Sequence, residues 1–248
     1  MTGPLRPARA AAAGALALLL SSCGVLPALP DPVPSDVVPT RAAPFASPPA
    51  AADGQLSPDG FDAVQRMAVR IRNVGCDGLS TGSGFAVDEH TLITNRHVVA
   101  GSESLQVSTY DGRDIEVTAA STAGLADLAV VRTEDPLPSF PELADADPRP
   151  GDVVDVVGYP EGGELTITAG EVIGSTTDPL HENLGDVLIT DAPVEPGSSG
   201  SAAIDADGRV IGVVYAKTAD GHSLLVPRST VLDVLSDADA FSALPPCP

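Results

Sequence analysis

The sequence predicts an all-β fold, and three observations carry that prediction. Gly and Pro number 24 each, aromatic residues make up 3% and Trp is absent, a composition of strands and turns rather than long packed helices. The apolar residues fall in about a dozen short runs rich in Val, Ile and Thr, each closed by turn residues. Asp-Gly pairs fall in several of the gaps, among them Asp111-Gly112 and Asp207-Gly208, which supply the positive φ that a tight hairpin needs. Strands at this spacing build a β-barrel or a sandwich.

The elements follow in order. Ser57-Pro58 reads as an N-cap with Pro in the first turn, and Phe61, Val64 and Met67 recur at helical spacing. Residues 69–72 then alternate as a strand. Further apolar runs cover 84–87, 91–94, 105–109, 114–118, 128–132, 152–157, 165–173, 187–190, 202–204, 209–215 and 223–226. Residues 229–235 read as a short C-terminal helix, with Ser229 or Thr230 as cap and Val231, Leu232 and Leu235 as its apolar face.

Ahead of this domain the texture differs. Arg6 and Arg9 precede an apolar run from Ala10 to Leu20, too short to span a bilayer and fitting a signal-peptide core. The run ends in Leu20-Ser21-Ser22-Cys23, which resembles a bacterial lipobox: an aliphatic residue, two small residues, then the Cys that takes lipid. Residues 1–22 are therefore expected to be a lipoprotein signal peptide, with Cys23 the lipidated N-terminus; the plainer alternative is a secretory signal cleaved elsewhere, near Ala28. Residues 23–55 form a Pro- and Ala-rich linker, with eight Pro between positions 24 and 55 and no apolar periodicity. The folded domain is expected over 56–248. Export, and a place on the cell membrane facing the cell wall or the exterior, follow from this arrangement.

Charge and cysteine content narrow the function. With 13 Lys+Arg against 34 Asp+Glu the formal charge is −21, which excludes a nucleic-acid partner and electrostatic docking on anionic lipid. The only membrane contact expected is the lipid anchor. Four His and three Cys show no metal-ligand spacing, so neither a metal nor another cofactor is expected. If Cys23 carries lipid, Cys76 and Cys247 remain, and an exported domain can join them in one disulfide; two free thiols are the alternative.

Three segments carry chemistry. His97 follows the apolar strand 91–94, where a ring can be held rigidly at a cleft. Asp127 stands at the mouth of the run 128–132, as a turn residue or as a buried, oriented carboxylate. Ser199 lies in Glu195-Pro196-Gly197-Ser198-Ser199-Gly200-Ser201, a loop of small residues able to bend tightly and aim two N–H groups at one point. Each is weak alone, since such loops, acids and histidines are most often plain turns or surface groups. Together they give the order His, Asp, Ser along the chain, 30 and then 72 residues apart.

With the flanking blocks Thr81-Gly82-Ser83-Gly84-Phe85, Leu92-Ile93-Thr94-Asn95-Arg96-His97-Val98-Val99, Asp127-Leu128-Ala129-Val130-Val131 and Thr190-Asp191-Ala192, the chain over roughly 67–235 resembles the trypsin-like serine proteases of the bacterial HtrA/Deg branch, most of all their exported actinobacterial members. The resemblance implies two six-stranded antiparallel β-barrels, about 67–140 and 141–235, with a short C-terminal helix. It implies Ser199 as nucleophile, His97 as general base and acid, Asp127 as the group that orients the imidazole, and the N–H groups of Gly197 and Ser199 as oxyanion hole. The strand through Tyr215, Ala216 and Lys217 would pair with substrate backbone; Tyr215 stands where the family has a small Ser. A Ser hydroxyl is a poor nucleophile at neutral pH and needs such a base, and a buried carboxylate fixes the tautomer of that base.

Two departures follow. Ser201 replaces a second Gly after the nucleophile. The residue before the nucleophile is the uncharged Ser198, so the loop cannot be shaped by an ion pair with a freshly cut N-terminus. The segment after the helix leaves no room for a PDZ domain, and a monomer acting on protein or peptide substrates is expected. The competing functions are a catalytically silent protease homologue that serves as a surface binding module, and a structural lipoprotein; the intact set of His97, Asp127 and Ser199 argues against both.

Overall fold

A computed structural model of the chain describes residues 60–245, apart from Leu125 and residues 181–183. The signal peptide, Cys23, the linker, Ser57-Pro58 and Cys247 lie outside the described residues.

The first half of the domain is an eight-stranded antiparallel sheet. It is built from β1 (Ala68–Gly75), β2 (Gly78–Asp88), β3 (Thr91–Thr94), β4 (Ser102–Thr109), β5 (Asp114–Ile115), β6 (Val117–Ala123) and β7 (Ala129–Thr133), joined by β14 (Phe241–Ala243) from the end of the chain. The order is β14-β6-β7-β3-β2-β1-β4-β5. The second half is a closed six-stranded antiparallel barrel of β8 (Val153–Gly158), β9 (Thr166–Thr177), β10 (Asp186–Thr190), β11 (Ala202–Ile204), β12 (Val210–Lys217) and β13 (Ser223–Pro227). The all-β architecture is the expected one. The first half carries two strands more than six: β14 lies against β6, pairing Phe241 with Ala123, and the two-residue β5 lies against β4.

Asp111-Gly112 and Asp207-Gly208 both make hairpins. Gly112 (φ 80°) turns β4 into β5, and Gly208 (φ 77°) turns β11 into β12. The helices differ in detail from expectation. α1 (Ala63–Met67) is capped by Asp62, whose carboxylate accepts the Gln65 N–H at 2.8 Å while the Gln65 side chain accepts the Asp62 N–H at 3.1 Å, a reciprocal cap. α3 (Arg228–Ser236) starts one residue ahead of Ser229, with Pro227 at its cap position. Ser229 is thus inside the helix, and its N–H is satisfied by Asp147 Oδ1 at 2.8 Å.

Alternation along the strands sorts the apolar side chains into three cores. Val69, Ile71, Leu92, Val99, Val107 and Val131 fill the first sheet. Val154, Val156, Val172, Ile211 and Leu225 fill the barrel. The third core holds Met67, Phe85 and Ile93 from the first half with Val157, Tyr159, Val213 and Val226 from the second, so the two halves share apolar burial. Phe85 is fully buried there, which is worth roughly 2–3 kcal/mol.

Tyr159 is the exception in that shared core, because its hydroxyl is buried and has no hydrogen-bond partner among the described residues. Burial pushes the phenol up to about 12; the Arg70 guanidinium acts in the opposite direction and Asp111 adds to the rise. An unfolded tyrosine ionises near pH 10. The stability tied to the neutral folded phenol is therefore complete below pH 10 and lost as pH rises to about 12. Tyr159→Phe should retain the wild-type fold at neutral pH, and its stability advantage over wild type should grow from pH 10 and level off near pH 12. Denaturant titrations of both proteins across that interval measure the difference.

Candidate active site

His97 stands on a single turn of helix, α2 (Arg96–Val99), rather than in a loop. The fully buried strand β3 delivers it. Asn95 holds the N-cap position of that turn without a side-chain cap bond; it is fully buried and its amide donates to the Asp127 carbonyl at 2.9 Å. The His-bearing segment is thereby tied to the Asp-bearing segment before either side chain is considered. The Asp127 carboxylate is 3% exposed and is used at both oxygens. Oδ1 accepts the backbone N–H of His97 at 3.0 Å, and Oδ2 lies 2.6 Å from His97 Nδ1. A carboxylate has no proton to give, so this pairing puts the imidazole proton on Nδ1 and leaves Nε2 with a lone pair. The His97 side chain is 48% exposed, so the ring is clamped at one edge and open at the other.

The Ser199 loop follows β10. Its conformation can be accounted for carbonyl by carbonyl. Pro196 C=O accepts from Glu161 N–H at 2.5 Å, Gly197 C=O from Ser83 Oγ at 2.8 Å, Ser198 C=O from Ser201 N–H at 3.0 Å and Ser199 C=O from Ser83 N–H at 2.8 Å. Ser198 N–H donates to Glu195 C=O at 2.9 Å and Gly200 N–H to Val214 C=O at 2.8 Å. Among the described residues the N–H groups of Gly197 and Ser199 donate to no acceptor. In a trans peptide the C=O and the following N–H point to opposite sides. Anchoring the carbonyls of Pro196 and Ser198 therefore turns the N–H groups of Gly197 and Ser199 outward from the anchors.

Glycine is required at two points here. Gly197 has φ 94°, and a Cβ on it would stand 2.6 Å from Glu161 N. Gly200 has φ 87°, and a Cβ would stand 2.1 Å from Ser83 O. No charged group shapes this loop from Ser198, which is 5% exposed and accepts the Glu195 N–H at 3.2 Å.

The strand through Tyr215, Ala216 and Lys217 is β12, and its register shifts between Val214 and Ala216. The shift buries the Tyr215 ring, 3% exposed, and its hydroxyl donates to Asp178 Oδ1 at 3.0 Å. The Tyr215 side chain is therefore packed in the interior. Lys217 is exposed and pairs with Glu195 at 3.1 Å. Ala216 and Lys217 pair with β13 on one side; among the described residues no strand pairs with them on the other. Cys76 is disulfide-bonded, while the partner expected for it, Cys247, lies outside the described residues. Among the described residues no cluster of three or more His, Cys, Asp or Glu could hold a metal ion.

Sequence reasoning assigned no role to Ser83, Asn95, Glu161 or Asp178. Ser83 and Asn95 lie inside the motif blocks, but their partners are 114 and 32 residues away, and no local pattern shows them. Ser83 is fully buried; its hydroxyl accepts the Tyr159 N–H at 2.8 Å and donates to the Gly197 carbonyl. Ser83→Ala should leave both groups without partners and cost about 2–4 kcal/mol, read as a lowered denaturation midpoint.

Residues 82–213 match the trypsin-like peptidase domain. The probable periplasmic serine endoprotease DegP-like of Hahella chejuensis is 33% identical over 164 residues, covering 63% of this chain and 35% of that protein. Mitochondrial serine protease HTRA2 of Bos taurus is 35% identical over 165 residues, covering 63% and 36%. The chain thus matches about a third of the length of these relatives. Among solved structures, the active form of the M. tuberculosis protease Rv3671c superimposes with a TM-score of 0.64 at 26% identity, covering 83% of this chain and 96% of that one. The serine endoprotease of Yersinia pestis gives 0.61 at 28% identity, covering 70% and 64%.

Proposed function

Because the chain belongs to the trypsin-like peptidase family, we propose that it is an exported, lipid-anchored serine endopeptidase acting on proteins or peptides through an acyl-enzyme at Ser199. The observation that carries this reading is that the carbonyls of residues 196–199 are all anchored while, among the described residues, the N–H groups of Gly197 and Ser199 have no acceptor. Loops bury their backbone polar groups in pairs; two donors left open beside a nucleophile suit a negative charge that exists only during reaction.

In the proposed mechanism Ser199 Oγ attacks the scissile carbonyl, and its proton passes to His97 Nε2. The carbonyl oxygen becomes an oxyanion held by the N–H groups of Gly197 and Ser199. Asp127 accepts the Nδ1–H at 2.6 Å and stabilises the imidazolium. His97 then gives the proton to the leaving amine, whose departure leaves the acyl-enzyme. Water, deprotonated by the same His97, attacks that ester; the carboxylic acid is released and Ser199 regains its proton. The open edge of β12 at Ala216 and Lys217 supports pairing with the acyl side of the substrate as an added strand.

Export and anchoring rest on Arg6, Arg9, the apolar run to Leu20 and the Leu20-Ser21-Ser22-Cys23 motif; the relative named as periplasmic supports the same compartment. A Cys76–Cys247 disulfide belongs to this reading, and the oxidised state of Cys76 supports it.

Ser199→Ala and His97→Ala should each lower peptidase activity by about 10⁴- to 10⁶-fold, and the double variant should be little worse than either. Multiplying losses would contradict a single catalytic unit, and wild type that fails to react at Ser199 with a fluorophosphonate probe would contradict the peptidase itself. Cys23→Ala should move the protein from the membrane fraction to the soluble fraction, as judged by fractionation and immunoblot. Full membrane retention would contradict the anchor.

A further inference from the structure

Beside the Ser199 loop runs a polar groove of about 520 Å³, and its chemistry has no part in the mechanism above. Arg70 and Arg72 of β1 face it, one strand step apart on the same side of the sheet. Arg132, Arg209 and Lys217 each have a carboxylate partner, whereas Arg113, Arg149 and Arg228 have none among the described residues. Among the described residues Arg70 and Arg72 have none within 4 Å. Arg70 contacts the Gly162 carbonyl and Ser108 Oγ, both at 3.4 Å. Arg72 is exposed, and among the described residues its side chain forms no hydrogen bond. Asp114 and Glu161 border the groove but pair with neither arginine.

The groove adjoins the Ser199 loop through β2 and through residues 161–162. Thr81 of β2 lines it, and Ser83, two residues on, holds the Ser199 carbonyl. Glu161 and Gly162 line it too, and Glu161 N–H holds the Pro196 carbonyl. The β12 flank of the same loop is reached instead through Gly200 and Val214. If β12 takes the acyl side of a peptide, the groove takes the leaving-group side. Across the β1–β2 ladder Arg70 stands opposite Ser83 and Arg72 opposite Thr81; with two strand residues spanning roughly 7 Å, the arginines suit the second or third residue after the scissile bond.

We propose, resting on the peptidase reading above, that this groove is a specificity site for an acidic side chain two or three residues beyond the scissile bond, with Arg70 and Arg72 as its charge partners. The overall field of the protein repels acidic peptides, so the preference is confined to these positions. Leu79, 60% exposed at the groove, offers the apolar surface against which such a side chain's methylenes rest.

The test uses the full chain in detergent with internally quenched peptides that differ only at those positions, carrying Glu, Gln or Lys. Wild type should favour Glu over Lys by about 2- to 5-fold in kcat/KM at low salt, the size of an exposed charge pair, with the ratio shrinking toward one at 1 M salt. Arg72→Glu should invert the ratio. Arg149→Glu makes the same change in net charge at an exposed arginine outside the groove and should leave the ratio as in wild type. A wild-type Glu:Lys ratio at or below one, or equal shifts from the two variants, overturns the proposal. Fluorescence anisotropy of the labelled Glu peptide on Ser199→Ala protein judges the groove without turnover. Binding lost on adding Arg72→Glu supports it, and binding indifferent to that change overturns it. Absence of cleavage and of fluorophosphonate labelling in wild type would instead count against the peptidase reading, with the anisotropy result still deciding the groove.

Discussion

The site depends on one buried hydroxyl and the two N–H groups around it. Ser83 supplies an O–H to the Gly197 carbonyl and an N–H to the Ser199 carbonyl, and its oxygen takes the Tyr159 N–H. Three segments that share no local sequence meet at this residue: β2, the end of β8 and the Ser199 loop. A peptide plane has one free choice, which way its carbonyl points, and each plane in the loop has that choice removed by a partner outside or across the loop. The result is a backbone whose unsatisfied donors are a consequence of where its acceptors are tied. Such preorganisation places the cost of aligning dipoles in folding rather than in the reaction step.

Much of this arrangement was legible in the sequence because it travels in contiguous pieces. The strand before His97, the acid before β7 and the small residues around Ser199 each lie in one segment, and their order is preserved along the chain. The hairpins at Asp111-Gly112 and Asp207-Gly208 were legible for the same reason. What was not legible depends on partners distant in sequence or on weak local signals. β6 reads Val-Thr-Ala-Ala-Ser-Thr-Ala, with too little apolar alternation to announce a strand, and β14 is three residues long. The α1 cap was placed at Ser57 because Ser-Pro is a strong generic start, whereas Asp62 and Gln65 form the reciprocal pair. The resemblance puts Tyr215 on the substrate-pairing strand but does not show its ring buried against Asp178, 37 residues away, beside a register shift in β12.

Electrostatics divides the molecule into two scales. The net charge of −21 sets a long-range field that ions screen over roughly 10 Å at 0.1 M salt. Close to the reaction centre the signs are local and specific. A single buried carboxylate faces His97, Lys217 is neutralised by Glu195, and the pair Arg70 and Arg72 stands without a carboxylate partner among the described residues. Global charge therefore says little about the potential a peptide meets at the cleft, and the composition alone could not have located a positive groove in so acidic a chain.

The return of the chain as β14 has a consequence of another kind. A closed barrel has no free strand edge, but the first sheet ends on β6, whose unpaired N–H and C=O groups would be a template for another chain. β14 occupies that edge at Thr122 and Ala123, and the Leu244 N–H extends the cover to the Ala120 carbonyl at 3.2 Å. On the opposite edge β5 is only two residues long, too short to recruit a partner strand. β14 thus acts as a guard against intermolecular β-pairing, so that its removal endangers solubility before it touches the chemistry.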